Sequence, residues 1–359
     1  MTRIFNFCAG PATLPLPVLE KARDELLDYH GLGMSVMEIS HRSAAFDELA
    51  DSTEACIRRL LSISDDYAVL FLAGGATMQF AQVPLNLASP DRPGAYIVDG
   101  SWSKKAFGIA RRMGLARLAA SSEDTGFKSI PSQSEWNLED KPAYLHYVSN
   151  ETISGVQFRQ PPESDLPLVS DMSSDILSRP VDVGKFGVIY AGAQKNIGQA
   201  GLALVIVRKD LLQDLPAEQP DLQSWKIQYR QGSRLNTPPT YAWYIAGLVF
   251  DWVEASGGVE RMAQLNQIKA DTFYQFLDQS AFYLNDIPQQ FRSHMNIPFQ
   301  IVDESLHGRF VAEAEAAGLS SLKGHRSVGG MRASIYNAMP IEGVEALISF
   351  MKEFESKAG

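Results

Sequence analysis

Apolar residues follow two different spacings along this chain of 359 residues. Short apolar runs rich in β-branched and aromatic residues are typical of buried strands, whereas apolar residues at every third or fourth position are typical of helices. The two patterns alternate through the first two thirds of the chain. This alternation predicts an α/β fold with a mostly parallel sheet covered by helices on both faces. Strand-like runs occupy residues 67–73, 95–99, 144–148, 166–171 and 202–207, with a further run that begins at Val188.

Two adjacent glycines, Gly257 and Gly258, interrupt the helical pattern late in the chain. Because glycine disfavours helix interiors, we place a domain boundary there. The predicted domains are an N-terminal arm over 1–15, a large domain over 16–257 and a small α+β domain over 258–359. Helices are predicted at 17–29, 45–61, 241–255, 259–277, 305–317 and 341–354, with a strand at 331–336. The polar stretch 210–236 predicts loops, and Thr237 before a proline predicts a helix cap.

Lys195 follows the apolar run that begins at Val188, and Asp171 ends the strand-like run before it. Ligand crevices of open α/β sheets lie at the carboxyl ends of the strands, so both side chains are expected there. Burial can lower the pKa of a lysine by as much as ~3–5 units, and a neutral amine can form a Schiff base. A pyridoxal phosphate site needs such a lysine and an acid for the pyridinium nitrogen. A loop lysine in water and a turn-capping aspartate explain the pattern equally well.

Gly74 and Gly75 stand between a strand-like run and a helical pattern that starts near Ala76 and Thr77. Glycines let the backbone approach an anion, and free N–H groups at a helix start attract it, which makes this turn a candidate phosphate site. The segment matches neither a Walker A loop nor a G-x-G-x-x-G fingerprint. On pattern alone, a tight turn with Thr77 as the helix cap is favoured.

Composition narrows the possible partners. The formal net charge of −10 argues against a nucleic-acid or anionic-membrane partner, and no apolar run has the length of a transmembrane helix. We see no signal-peptide pattern and expect a cytoplasmic protein whose Cys8 and Cys56 are reduced thiols. No metal site is expected.

Cationic side chains lie beside loop or glycine-rich backbone at three places. Each one alone is better explained by a surface salt bridge, which contributes little to stability. Together they could hold a doubly anionic substrate, because a guanidinium presents a planar fork of donors to carboxylate or phosphate. The three places are His41 with Arg42, His325 with Arg326, and Arg332.

Seven separated segments carry a more specific signal: FNFCAGPATLP (5–15), GMSVMEISHRS (33–43), YVSNETISGVQF (147–158), SDMSSDILSRPVD (170–182), YAGAQKNIG (190–198), LNTPPT (235–240) and LKGHRSVGGMRASIYNA (322–338). In these segments the chain resembles the phosphoserine aminotransferases, which are fold-type-I pyridoxal phosphate enzymes of the class-V aminotransferase family. The resemblance runs nearly end to end. It implies a large three-layer domain, a small C-terminal domain and pyridoxal 5'-phosphate as cofactor.

The resemblance also implies roles for individual residues at the cofactor. Lys195 would hold the cofactor and move the proton, Asp171 would keep the pyridinium nitrogen protonated, and Trp102 would stack on the ring. Further contacts are implied for Ala76, Thr77, Thr152 and Gln194. Asn236 and Thr237 are implied to reach the cofactor phosphate of a second subunit, which would make the protein a homodimer with shared active sites.

For the substrate, the resemblance assigns Arg42 and Arg332 to carboxylate and phosphate recognition, assisted by His41, His325 and Arg326. Two positions depart from the family pattern. Many relatives have serine where this chain has Ala9, and proline is frequent where it has Gln199. Neither position takes part in the aldimine chemistry, so the departures bear on substrate affinity and leave the reaction class unchanged.

The implied reaction converts L-glutamate and 3-phosphohydroxypyruvate into 2-oxoglutarate and O-phospho-L-serine, in serine biosynthesis. 4-Phosphohydroxy-L-threonine of pyridoxine biosynthesis is implied as a second substrate. Two alternatives stay open: an alanine–glyoxylate-type aminotransferase, and a pyridoxal-phosphate-binding regulatory protein without turnover. A cysteine desulfurase is excluded, because it needs a nucleophilic cysteine well after the lysine, where neither Cys8 nor Cys56 lies.

Overall fold

The structure is a computed structural model that describes residues 3–358. Within that range the strands are β1 Phe5–Asn6, β2 Tyr67–Ala73, β3 Gly94–Val98, β4 Ala116–Ser121, β5 Leu145–Val148, β6 Asn150–Glu151, β7 Val156–Gln157, β8 Leu168–Asp171, β9 Val188–Gly192, β10 Leu202–Arg208, β11 Tyr283–Leu284, β12 Asn296–Ile301, β13 Leu319–Ser320 and β14 Met331–Ser334. The α-helices are α1 Leu16–Asp24, α2 Ala44–Leu60, α3 Ala76–Leu87, α4 Ser101–Arg112, α5 Trp225–Arg230, α6 Thr240–Ala255, α7 Gly258–Gln279, α8 His307–Ala316 and α9 Ile341–Ala358.

Seven strands form the central sheet, in the order β2-β10-β9-β8-β5-β3-β4. Strand β10 is antiparallel to both of its neighbours, and every other neighbouring pair is parallel. Only residues 193–201 join β9 to β10, which is too short for the crossover that a parallel pair needs. The predicted mostly parallel sheet is confirmed.

The strands alternate their side chains between two apolar layers, as the period of two residues requires. In β10, Leu204 and Ile206 face the layer that α2 and α6 cover, whereas Val205 and Val207 face the layer that α3 and α4 cover. Burial on both faces explains why the sequence shows continuous apolar runs. The arrangement brings the carboxyl ends of β2, β3, β5, β8 and β9 to one edge of the sheet.

A second core lies beyond the central sheet. It is built from the antiparallel strands β11, β12 and β14 together with α7, α8 and α9. The N-terminal arm joins this core, because β1 pairs with β13 and Phe7 is buried there. No helix in residues 3–358 is long and apolar enough to cross a membrane.

Helix α7 belongs to both cores. Val259 and Met262, in its first turns, pack against the large core, whereas Phe273 and Leu277 pack in the small one. We propose Gly258 as the limit between the domains at 16–257 and 258–359, with α7 as the element that joins them.

One predicted helix is shorter in the structure, and one predicted loop contains a helix. The helix predicted over 17–29 ends at Asp24, because the next residues form turns in which Gly31 and Gly33 have positive φ and Asp28 Oδ1 accepts from Gly33 N at 2.7 Å. The predicted loop 210–236 contains α5. Its start is capped by Ser224, whose Oγ accepts from Ile227 N at 3.3 Å.

Both predicted threonine caps are wrong. Helix α3 starts at Ala76 after Gly75, so Thr77 already lies inside the first turn. Helix α6 starts three residues after Thr237, with Pro239 before its first residue and no side-chain cap. At both sites the threonine is left available for another role.

Candidate active site

A cavity of about 360 Å³ opens at the carboxyl edge of the sheet. Strands β8 and β9 are parallel neighbours, and Asp171 pairs in register with Tyr190, so the segments after both strands meet at this cavity. Seven of the residues for which the resemblance implies cofactor contacts line this cavity: Ala76, Thr77, Trp102, Thr152, Asp171, Gln194 and Lys195.

Lys195 extends into this cavity from the loop after β9. Its Nζ donates to Thr152 Oγ1 at 2.6 Å and lies 5.6 Å from the centre of the Trp102 ring. Burial lowers the pKa of Lys195 to about 8, although the nearby carboxyl groups of Asp171 and Glu151 act in the opposite direction. Near pH 8 a large fraction of the amine is therefore neutral, as a nucleophilic or basic lysine must be.

Asp171 lies at the end of β8 with only 4% of its surface exposed. Its Oδ1 accepts from Ser173 N at 2.8 Å and from Ser173 Oγ at 2.5 Å. Among residues 3–358, none donates to its Oδ2, so that oxygen remains available to a molecule in the cavity. Burial raises the pKa of Asp171, whereas the charge of Lys195 and the bonds from Ser173 lower it. Asp171 therefore caps a turn and also lines the cavity.

The turn between β2 and α3 has the features of an anion site. Gly75 gives α3 no side-chain cap, and the N–H groups of Ala76 and Thr77 donate to no acceptor in the described part of the chain. Gly74 has φ +113°, a conformation that favours glycine. A Cβ on Gly192 would lie 3.2 Å from Ala76 N, so glycine there lets the end of β9 approach the helix start. Free N–H groups and the helix dipole attract a phosphate to this point.

Lys105 is a neighbour of this turn that the sequence analysis missed. Its Nζ lies 3.4 Å from Thr77 Oγ1 and 5.2 Å from the centre of the Trp102 ring. The adjacent Lys104 points away and pairs with Glu123 at 2.5 Å. Helical spacing alone does not tell which of two neighbouring lysines lies beside Thr77.

Glu151 was also missed, although it lies in a segment that the resemblance covers. Its Oε2 accepts from Trp102 N at 3.0 Å, and its Oε1 accepts from Ser103 N and Ser103 Oγ, both at 2.7 Å. The buried carboxyl group thus holds the first turn of α4 and, with it, Trp102 at the wall of the cavity.

Arg332 is mostly buried beside the cavity. Its Nη1 donates to Thr152 O at 3.1 Å, and its charge helps to lower the pKa of Lys195. His325 belongs to the exposed loop before β14, where burial, then the charges of Arg332 and Arg326, lower its pKa. The structure therefore brings the predicted cations of the small domain together.

The N-terminal arm closes one side of the site. Ala12 N donates to Gln194 O at 2.8 Å, and the hydroxyl of Tyr336 donates to Ala9 O at 2.8 Å. Ala9, which departs from the family pattern, therefore lies on an arm that contacts the loop of Gln194 and Lys195 directly.

Besides the three cations of the small domain, four assigned residues do not line the cavity of this chain. Arg42, Asn236 and Thr237 are exposed. Arg234, just before Asn236 in the chain, donates to His41 O at 3.3 Å, so the segments around residues 41 and 236 lie next to each other. The same guanidinium pairs with Asp47. The four residues, which thus share one surface, are His41, Arg42, Asn236 and Thr237.

The residues present fit pyridoxal phosphate. Trp102 offers a flat aromatic wall, Lys195 an amine, Asp171 a buried carboxyl group, and α3 a helix start with free N–H groups. Two buried polar atoms at the cavity, Trp102 Nε1 and Asn150 Oδ1, have no partner within residues 3–358 and would be satisfied by a bound molecule.

Known proteins that are similar to this chain agree with such a site. The family model for class-V aminotransferases matches residues 4–347. The chain belongs to the class-V aminotransferase family. A phosphoserine aminotransferase of Pseudomonas putida is 54% identical to this class-V aminotransferase over 358 residues, 99% of each chain.

Solved structures resemble the chain over the same length. The phosphoserine aminotransferase of Bacillus circulans subsp. alkalophilus has 45% identity and a TM-score of 0.97, with 99% of each chain covered. A PLP-bound phosphoserine aminotransferase of Trichomonas vaginalis has 39% identity and a TM-score of 0.92, covering 98% of this chain and 100% of the other. The predicted fold class, a fold-type-I pyridoxal-phosphate-dependent transferase, is confirmed.

Proposed function

We propose that this class-V aminotransferase moves the amino group of L-glutamate to 3-phosphohydroxypyruvate, producing 2-oxoglutarate and O-phospho-L-serine. The observation that carries the proposal is the meeting of Lys195, Asp171 and the free start of α3 around one cavity. The 54% identity to a curated phosphoserine aminotransferase supports this substrate pair. Pyridoxal phosphate, the cofactor of this enzyme, supplies an electron sink for chemistry at the substrate Cα when bound.

Lys195 acts as the general base and acid at the substrate Cα. Thr152 orients its amine through the bond at 2.6 Å, and burial keeps a large neutral fraction that can accept a proton. Trp102 forms a flat wall of the cavity, with its ring centre 5.6 Å from this amine. Arg332 adds a positive charge nearby, which further favours the neutral amine.

Asp171 serves as the partner of the pyridine nitrogen. Ser173 fixes one carboxyl oxygen, and the other is left for an N–H donor in the cavity. The attraction of Lys195 and the bonds from Ser173 oppose the effect of burial, and so favour the ionised form that such a partner requires. The N–H groups of Ala76 and Thr77, with Lys105 and Gln194, hold the phosphate.

Arg332 recognises a carboxylate or phosphate of the substrate through its planar donors. His325 and Arg326 extend this cationic region toward solvent. In a chain of net charge −10, such a local cluster is what an anionic substrate needs. A phosphorylated acceptor uses more of these donors than glyoxylate does, which favours the proposed substrate over the alanine–glyoxylate alternative.

We also propose a homodimer in which His41, Arg42, Asn236 and Thr237 complete the active site of the other subunit. All four share one surface and are remote from the cavity of their own chain. Large apolar side chains are exposed in the segment just before His41 and Arg42, and such a surface is typical of an interface. They are Leu27, Leu32, Met34 and Met37.

A mixed-dimer experiment tests the shared site. Lys195→Ala and Arg42→Ala variants are each inactive alone, and their equal mixture is refolded or co-expressed. If Arg42 acts across the interface, hybrid dimers contain one intact site, and the mixture regains about a quarter of wild-type activity. If the mixture stays inactive, Arg42 acts within its own chain or the protein does not form this dimer.

4-Phosphohydroxy-L-threonine is proposed as a second substrate, since it presents the same phosphate and amino-acid groups to the same residues. A cytoplasmic location agrees with the free thiols of Cys8 and Cys56. Both statements extend the main proposal and do not support it.

A spectral titration tests the main reaction. L-Glutamate is expected to bleach the visible band of the holoenzyme, and 3-phosphohydroxypyruvate is expected to restore it with formation of O-phospho-L-serine. If alanine and glyoxylate drive this cycle while 3-phosphohydroxypyruvate does not, the enzyme is of the alanine–glyoxylate type. A band that no amino acid bleaches would indicate a regulatory protein.

A further inference from the structure

A second cavity, of about 860 Å³, lies between the two domains and shares no lining residue with the active-site cavity. One wall consists of residues 157–161 and 178–186 of the large domain. The opposite wall consists of α7 and residues 289–294 of the small domain. None of the functions described above uses this space.

Arg159 is the most unusual group in this second cavity. Its Nη2 donates to Arg292 O at 2.5 Å, and its Nη1 hydrogen-bonds to His294 Nε2. No carboxylate of the described residues lies within ion-pair distance of its guanidinium. Burial, followed by the charge of Arg159, lowers the pKa of His294 to about 4, so the imidazole is neutral at pH 7 and acts as the acceptor.

The other two arginines of the wall have acidic partners. Arg292 binds both oxygens of Asp278, at 2.7 and 2.6 Å. Arg179 pairs with Asp175 at 3.3 Å and also donates to the main-chain oxygens of Arg159 and Phe158, at 2.5 and 2.8 Å. The wall therefore contains one half-buried positive charge without a carboxylate partner, that of Arg159.

A buried charge without a counter-charge costs free energy, which a bound anion would recover. The guanidinium of Arg159 also offers the planar donors that oxyanions prefer, and the guanidinium of Arg179 adds a second positive charge beside it. Uncharged polar side chains surround this point and could bind the rest of a small molecule: Gln157, Gln160, Gln267, Gln275, Gln289 and Ser178.

We propose that the interdomain cavity is a second ligand site, which binds a small molecule through a carboxylate or phosphate group held by Arg159 and Arg179. Asp182 and Asp271 are exposed at the cavity. Because their carboxylates repel an anion, the anionic group of the ligand faces inward, toward the arginines. The ligand contacts both domains at once and binds the holoenzyme independently of the active site.

Thermal unfolding of the holoenzyme tests the site in solution. Inorganic phosphate is added to wild type, Arg159→Gln and the control Arg117→Gln, with sodium chloride at matched ionic strength as reference. Arg117 is a half-buried arginine elsewhere in the chain, beside Asp140 at 3.5 Å. Phosphate is expected to raise the unfolding midpoint of wild type and control by about 2–4 °C more than that of Arg159→Gln. Equal shifts in all three proteins would overturn the proposal.

Two further measurements locate the site and its chemistry. Holoenzyme crystals soaked in sodium selenate are expected to show an anomalous peak between Arg159 and Arg179 that is missing in Arg159→Gln. A peak without an Arg159-dependent shift in solution would mean an adventitious ion only, and would overturn the proposal. Succinate in place of phosphate distinguishes a carboxylate ligand from a phosphate ligand. The value of kcat/KM for L-glutamate is expected to be unchanged in Arg159→Gln.

Discussion

Two lysines with a lowered pKa, Lys195 in the loop after β9 and Lys269 on α7, show that the same desolvation has different consequences in different surroundings. Burial lowers the pKa of Lys195 to about 8 and that of Lys269 to about 7. Lys195 makes one hydrogen bond and faces an open cavity. Lys269 donates to three main-chain oxygens, at 3.0, 2.7 and 3.0 Å: those of Ile335, Tyr336 and Met339.

The difference lies in access and in unused bonding capacity. Three carbonyl oxygens match the three N–H bonds of an ammonium, so the surroundings of Lys269 are complete and leave no room for a ligand. The segment that Lys269 holds continues to Asn337, whose N–H donates to Asn196 Oδ1 at 3.1 Å, next to Lys195. Lys269 is thus a structural group that fastens the small domain to the active-site loop. A lowered pKa identifies a functional lysine only where a cavity adjoins it.

The largest contrast is expected from removing Lys195. Lys195→Ala should lower kcat by about 10²- to 10⁴-fold, because the proposed general base and acid is lost. Its thermal midpoint should stay close to that of the wild type, since the side chain ends in a cavity. Rates of the glutamate half-reaction and a thermal scan on the same sample check both statements. More than a tenth of wild-type activity would rule out the assigned role.

Lys269→Met should lower stability and leave kcat nearly unchanged, which is the opposite of Lys195→Ala. Losing the ammonium leaves three buried carbonyl oxygens without a donor, so the free energy of unfolding should fall by about 2–4 kcal/mol. Chemical denaturation measures this change, and kcat of the remaining folded enzyme should change by less than about threefold. A large loss of kcat with unchanged stability would mean that the two lysines are not distinct in role.

Asp171→Asn sharpens the comparison, because it removes a negative charge that raises the pKa of Lys195 and has no counterpart at Lys269. Loss of a charge-assisted bond of about 1.5–3 kcal/mol should weaken pyridoxal phosphate binding by about 10- to 150-fold. The pKa of Lys195 should fall further below 8, because the charge of Asp171 raises it in the wild type. Ser173→Ala is the matched control, since it keeps the charge while removing one bond. An unchanged dissociation constant in Asp171→Asn would contradict the assignment.

The smallest effect is expected from the exposed pair on α4. Lys105→Met should weaken pyridoxal phosphate binding by about two- to fivefold, an effect that shrinks as salt is added. Lys104→Met has the same change of charge on the same helix, but its amine faces Glu123 and should leave affinity unchanged. Fluorescence titration of the apo protein separates the two variants. Identical affinities would remove Lys105 from the phosphate site.

Much of this architecture is visible in the sequence because its signals are local. Continuous apolar runs predict the buried strands, and the small residues that follow them place Lys195 and Asp171 at one edge. The turn at Gly74 predicts an anion site for the same reason. These features depend on a few neighbouring residues. The structure confirms the sheet, and it places Lys195 and Asp171 at one cavity.

Other features depend on tertiary contacts and were missed. Spacing could not show that Lys105 approaches Thr77 while Lys104 pairs with Glu123, or that Glu151 holds the start of α4. Helix α5 was predicted as loop because its polar composition conceals Trp225, which is buried against the sheet. The location of Arg42, remote from its own cavity, follows from the packing of its loop against Arg234.

Competitive labelling of lysine amines in the cofactor-free protein tests the central claim most directly. The protein is acylated with a trace reagent at pH values from about 6 to 11, and the peptides are quantified by mass spectrometry, with exposed Lys104 as the internal reference. Reactivity of Lys195 should rise to its half-maximum near pH 8, while Lys269 should stay protected. A midpoint for Lys195 near ~10.4, equal to an ordinary lysine, would contradict the account.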